Sequence, residues 1–454
     1  MIKNIAEYMA TYGVSIKYED LPPEVVHKVK GLLIDALGCT LGAYTSAPAK
    51  IARRIAGTVY QCDTPAAILG SGQKSSPELA TFANGVMIRY LDFNDGFASK
   101  GVGHPSDNFA PVLTCADAIH AGGKEVVVAS ILAYEVFCRL ADKFDVRSKG
   151  FDHSVIGAAS CVMGASRVLG LSQEQMVQAI NLSVASNITL GQTRVGDLSM
   201  WKGCAMANAS RNAVFAALLA KEGMTGPGPV FEGRYGLLKA VTGTFQLEEF
   251  GGNGRPFRIM DVMIKLYPCG QFAQTAIDAA IKLRPKISSV KEIREVNIGT
   301  FASGKNVMAG DTEKWYPKTR ESADHSIPYV VAVALMHGTV AIKHFDDKHL
   351  FNPDLLELAQ KIKVEETEEC DNLYPDAMAN RVELITKSGK RFSELVQYHR
   401  GHQKNPLTDE EIEQKFISLA KDLLMPVQRK QVLSLIWNLE KVNDVGEIMQ
   451  LVKV

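Results

Sequence analysis

The sequence predicts a mainly α protein, a large helical body interrupted by a smaller mixed α/β segment. Three observations carry that expectation. Apolar, Ala-rich stretches with helical spacing follow one another through about residue 260, alternating apolar residues and a hairpin signal appear after Pro268, and a capping-box pattern at Thr408 returns the chain to helix. The chain has 454 residues, and at about 100–200 residues per domain it has room for two to four. The expected divisions are 1–266 for the first part of the helical domain, 267–402 for the α/β segment and 403–454 for the C-terminal return.

Taken in order, Pro22-Pro23 opens a helix whose apolar positions Val25, Val26, Val29, Leu32, Leu33 and Ala36 run to Gly38. Pro77–Tyr90 follows the Gly70–Ser76 turn region. Ala110–Ala121 stops at Gly122-Gly123, and Lys124–Ala141 comes next. Val155–Leu169 ends at Gly170, and Ser172 caps Gln173–Val184. Gly203–Glu222 is apolar on more than one face, which suits a helix-on-helix core. After Pro268 come a helix over Gln271–Leu283 and a strand around Val296 and Ile298. A helix opened by Asn352-Pro353 leads to a strand at Ile362–Glu365. Arg381–Ile385 and Arg391–Val396 form a hairpin across Lys387-Ser388-Gly389-Lys390. Thr408 with Glu411 then opens Ile412–Leu424, and Gln431–Leu439 follows.

Composition narrows the function classes. Lys and Arg number 50 and Asp and Glu 50, so there is no net charge to favour nucleic acid or an anionic membrane as partner. The eight cysteines include no C-x-x-C pair, which gives neither a disulfide framework nor a zinc site, and buried thiols are expected. Met1–Ala10 lacks the long apolar run of a signal peptide, and no stretch approaches a membrane span, so a cytoplasmic, reducing setting is expected. Gly70–Ser75 lacks phosphate-loop spacing, and no G-x-G-x-x-G follows a strand. No H-x-x-x-H or H-E-x-x-H is present, and neither a metal nor a cofactor is expected.

Tyr90-Leu91-Asp92-Phe93-Asn94-Asp95-Gly96 leads into Gly101-Val102-Gly103-His104-Pro105-Ser106. Its glycines break helix, so Asp92, Asp95 and His104 belong to a loop that can hold a general base near a substrate, or the two aspartates merely cap the flanking helices. His153 opens the next apolar helix, either as a second acid–base group or as a bystander beside a capping Asp152 or Ser154. Lys202 precedes another apolar helix, and Lys265 lies where the helical body hands over to the α/β segment. Either amine can clamp a substrate carboxylate, or it is simply a solvated lysine. Ala323-Asp324-His325-Ser326-Ile327-Pro328-Tyr329 marks a helix start. Its adjacent Asp, His and Ser cannot form a triad, but one or two of these polar groups can face inward.

Together, Tyr90–Asp95, His104-Pro105-Ser106, Lys202, Gly223–Pro227, Phe231-Glu232-Gly233, Lys265–Pro268 and Ala323–Tyr329 resemble, in order, the motifs of the MmgE/PrpD family. That family includes 2-methylcitrate dehydratase, cis-aconitate decarboxylase and iminodisuccinate epimerase. The resemblance implies a helical domain built from both chain ends with an inserted α/β lid, a homodimer, and a small polycarboxylate substrate. It implies catalytic roles for Asp92, His104, His153, Lys202 and Lys265, and substrate binding by Asp95, His325 and Tyr329. The sequence departs from the decarboxylase pattern at four places. Gly96 stands where that branch has Thr, and the loop from Asp92 to His104 is two residues longer. Ala205 and Gln274 replace histidines. The A-D-H-S-I-P-Y segment looks most like the 2-methylcitrate dehydratase branch, so the expected reaction is metal-independent loss of water from a 2-methylcitrate-like or citrate-like acid. Epimerisation of a substituted succinate, decarboxylation and non-catalytic polycarboxylate binding are the alternatives.

Overall fold

The computed structural model describes residues 4–59 and 61–454; Met1, Ile2 and Lys3 of the N-terminal reading lie outside the described residues. The chain is mainly α, and its apolar residues gather into two cores. One core takes side chains from Ile5 to Ile264 and again from Ile412 to Val452, so both ends of the chain build it. The other runs from Met263 to Val396, with Val102 added from the first part of the chain.

Local chemistry accounts for most helix boundaries. Pro23–Ala43, Ala47–Ala56 and Pro77–Arg89 each carry proline in the first turn, where no N–H is needed. Ser172 and Thr408 close capping boxes over Gln173–Ser186 and Asp409–Ala420. Ser326 accepts from the Tyr329 amide and starts Ile327–His337, which ends at left-handed Gly338. The first long helix does not stop at Gly38 but continues to Ala43. A Cβ on Gly38 would lie 3.2 Å from the Phe416 Cα, so this glycine is a point of close helix contact rather than a terminator. Gly38→Leu is expected to push helix Asp409–Ala420 away and cost about 1–3 kcal/mol, measured by urea unfolding.

The second core packs against a four-stranded sheet of β1 (Ile293–Thr300), β2 (Ile362–Glu366), β3 (Asn380–Thr386) and β4 (Arg391–Val396), in the order β2-β1-β3-β4. β2 runs parallel to β1, while β3 is antiparallel to both β1 and β4. The β1 pattern puts Ile293, Val296 and Ile298 inward, and the hairpin register pairs Ile385 with Arg391 across Lys387–Lys390. All eight cysteines are free thiols, seven of them buried. Among the described residues, no helix is long and apolar enough to cross a membrane.

Candidate active site

The two cores meet at the loop after helix Pro77–Arg89. Asp92 adopts a left-handed backbone, φ 51°, a conformation that aspartate tolerates better than most residues. That turn directs Asp92 into the protein. The loop then forms a small hairpin, Phe97–Ala98 with Val102–Gly103, and Gly96 bridges Met263 through a pair of backbone hydrogen bonds. The Met263 bridge brings Lys265 onto Asp92. Lys202 arrives from the turn Met200–Gly203, and Asp324 with His325 from the turn before Ile327–His337. Asp92, His104, His153, Lys202 and Lys265 are each at most 4% exposed.

Four of the five residues expected to be catalytic share one polar cluster. Lys265 Nζ donates to Asp92 Oδ1 at 2.5 Å and to its carbonyl at 2.8 Å. Arg89 Nη1 lies 3.0 Å from Asp92 Oδ1, Lys202 Nζ 3.7 Å from Oδ2, and His104 Nε2 3.8 Å from Oδ1. Lys202 pairs with Asp324, and His325 places Nδ1 2.7 Å from Asp324 and Nε2 3.3 Å from Asp92. Burial alone would raise the Asp92 carboxyl. Arg89, Lys265 and Lys202 outweigh it and hold the group well below the usual carboxylate range. Three cations therefore face two carboxylates, leaving one buried positive charge. That surplus favours neutral imidazole at His325, whose pKa is pushed down to about 3 by burial and by Lys202.

The fifth residue, His153, is next to this cluster, its ring 5.7 Å from that of His104 and tilted by 70°. Burial lowers His153 to about 4, and burial with Arg89 and Lys265 holds His104 well below its ordinary value. Both rings are neutral at pH 7. His104 Nδ1 donates to the Asp95 carbonyl at 2.7 Å, so its Nε2 carries the lone pair on the side of Asp92. His153 Nδ1 lies 3.4 Å from Asp152, and neither ring nitrogen has a hydrogen-bond partner. Asp152 accepts from the Ser154 amide at the start of this helix and is held by Arg194 at 2.6 Å.

The substrate-binding roles expected of Asp95 and Tyr329 meet a different arrangement. Both Asp95 oxygens are occupied, by the Ser106 amide and hydroxyl and by the Tyr134 hydroxyl, and burial raises its pKa to about 6. Its backbone carbonyl is what orients His104. The Tyr329 hydroxyl donates to the His344 carbonyl at 2.5 Å. Gln274 uses its amide to fold the turn at Tyr267, accepting from that residue's N–H and donating to its carbonyl.

Sequence reasoning missed Arg89, Asp324 and Asp152 as charge partners. It missed Asp107 too, a carboxyl with no hydrogen-bond partner that burial pushes up to about 8. Arg89 carried a usable signal, since it stands one helical turn before Asp92. Lys415 was also missed. From helix Asp409–Ala420 it pairs with Asp35 at 2.5 Å and donates to the carbonyls of Phe93 at 2.7 Å and Lys265 at 2.8 Å.

Two groups among the described residues place potential metal ligands within 4.8 Å of one another. In Asp92, Asp324 and His325, both carboxylates are already paired with lysines, so an added cation would be repelled. In His337, His344 and His349, His344 Nδ1 accepts from the Ala341 amide, which leaves the hydrogen on Nε2. The rings of His337 and His344 are also stacked 13° from parallel, so their lone pairs do not converge.

The protein is mainly α, with two apolar cores that meet at a buried, positively charged polar cluster. The MmgE/PrpD N-terminal domain matches residues 7–249 and the MmgE/PrpD C-terminal domain residues 267–441. The chain belongs to the MmgE/PrpD family. It is 29% identical to a probable 2-methylcitrate dehydratase of Saccharomyces cerevisiae, over 81% of this chain and 76% of that protein. The 2-methylcitrate dehydratase of Escherichia coli K12 is 28% identical, over 88% of this chain and 86% of its own. The cis-aconitate decarboxylase of Homo sapiens is 24% identical, over 100% of this chain and 95% of its own.

Proposed function

We propose that the protein is a lyase, a metal-independent hydro-lyase that dehydrates a small tricarboxylate of the 2-methylcitrate or citrate kind. The observation that carries this reading is the buried surplus of positive charge beside two neutral imidazoles. A proton α to a carboxylate is very weakly acidic. Its removal therefore needs fixed cations where enolate charge develops and a base whose lone pair is free. Lys202 and Lys265 supply the cations and exchange their aspartate partners for substrate carboxylates. His104 removes the proton through Nε2, because the Asp95 carbonyl fixes its other nitrogen. Asp92 steadies the imidazolium that results. His153 protonates the departing hydroxide, acquiring its proton once a bound polyanion raises its pKa. Since these atoms are buried, segment 267–402 moves as a lid over a helical domain made of 1–266 and 403–454, and the enzyme works as a cytoplasmic homodimer.

A screen of 2-methylcitrate, citrate, cis-aconitate and substituted succinates tests this. New alkene absorbance without carbon dioxide supports the dehydratase. Carbon dioxide release identifies a decarboxylase, deuterium uptake without alkene an epimerase, and saturable stabilisation without turnover a binding protein. The dehydratase should also show a displaced acid limb. Lowering pH protonates His104 and removes the base, and because burial with Arg89 and Lys265 holds that imidazole well below its ordinary value, the acid limb of kcat/KM should lie well below pH 6.5. An inflection at 6.5 would mean that neither buried ring is the base.

A further inference from the structure

Gln271 opens the short helix Gln271–Ala273, six residues beyond Lys265, at the junction of the two cores. It is 6% exposed, and neither its Oε1 nor its Nε2 has a hydrogen-bond partner. Leaving both ends of a buried carboxamide unpaired is costly, and native proteins seldom do so without a reason. The surroundings of Gln271 suggest that reason. The side chain lies over Gly96, where an added Cβ would come within 2.2 Å of Oε1 and within 3.4 Å of Cδ. Gly96 directly follows Asp95, whose carbonyl orients His104. On the other side, a Cβ on the neighbouring Gly270 would lie 3.6 Å from His325 Nε2, the nitrogen facing Asp92. The carboxamide thus fills the space that any residue other than glycine at position 96 would occupy, and the chain neighbours on either side of this contact, Asp95 and Gly270, border the charged cluster.

We infer that Gln271 is a substrate-contacting residue whose carboxamide hydrogen-bonds an oxygen of the bound carboxylic acid, and that Gly96 is glycine so that this group can reach it. With Oε1 against the Gly96 backbone, the Nε2 hydrogens are the end left for a ligand, and a carboxylate or hydroxyl oxygen is their natural acceptor. This assignment rests on the polycarboxylate reading of the same site and adds the residue that helps select among such acids.

The test uses the full chain with propane-1,2,3-tricarboxylate, which lacks the hydroxyl and cannot be dehydrated, alongside turnover of 2-methylcitrate and citrate. Gln271→Leu removes the unpaired polar atoms at similar volume. It should melt at or above the wild-type temperature without ligand, lose most of the stabilisation given by the tricarboxylate, and raise KM about 10- to 100-fold, the scale of one hydrogen bond to a charged group. Gln271→Glu sets a carboxylate against the acid and should lose binding as well. A Gln271→Leu variant that melts lower yet keeps the full ligand shift would make Gln271 a packing residue and overturn the inference. Gln271→Glu binding as tightly as wild type would do the same. If the wild type dehydrates neither acid but is stabilised by the tricarboxylate in a Gln271-dependent way, the hydro-lyase reading falls and the binding role stands.

Discussion

Asp92→Asn is expected to abolish turnover and to destabilise the protein by about 3–5 kcal/mol, the range for breaking a buried ion pair from one side. The substitution preserves shape, and asparagine tolerates the left-handed backbone at φ 51°, so the turn itself is not strained. What changes is charge. Arg89, Lys202 and Lys265 would be left with Asp324 as their one remaining carboxylate in the cluster, and Lys265 would lose its 2.5 Å partner. Urea unfolding measures the loss. Asp92→Asn combined with Lys265→Met should recover part of the stability and none of the activity, because it removes the stranded charge together with a carboxylate-binding group. Equal stability of wild type and Asp92→Asn would show that the cluster is solvated rather than dry.

His104→Gln is expected to lower kcat by about 10²–10⁴-fold with the fold intact, the usual scale for a lost acid–base group. Glutamine carries no imidazole lone pair, and its amide stands nearer the position of Nε2 than that of Nδ1, so the donor that reaches the Asp95 carbonyl at 2.7 Å is lost with the base. Single-turnover formation of the alkene separates the chemical step from product release. His153→Gln should fall by a comparable factor. If both variants fold and keep nearly full turnover, the imidazoles are not the acid–base pair.

Much of this arrangement was legible in the sequence because its signals are local. Proline in first turns, capping boxes at Ser172 and Thr408, and the alternation around Val296 act within a few residues, and those elements stand where the pattern puts them. Gly38 misled because glycine stops a helix and also permits close packing, and only the distant Phe416 decides between the two. The site divides in the same way. The aspartate–histidine loop and the two lysines could be named from their motifs, but not their partners. Lys265 finds Asp92 across 173 positions and Lys202 finds Asp324 across 122. The motifs also gave no sign that the Asp95 carboxylate and the Tyr329 hydroxyl are hydrogen-bonded within the fold. Gln271 gave no signal at all, because an unpaired amide becomes visible only once everything around it has been placed.

Lys415 lies far downstream of every group assigned to the chemistry, yet its ammonium fastens the backbone on both sides of the Asp92–Lys265 contact. A ribosome-bound chain that has emerged only as far as the sheet therefore already holds the full set of reactive side chains, but not the clasp that sets them in register. Catalytic competence should thus switch on late in biogenesis, once helix Asp409–Ala420 has packed.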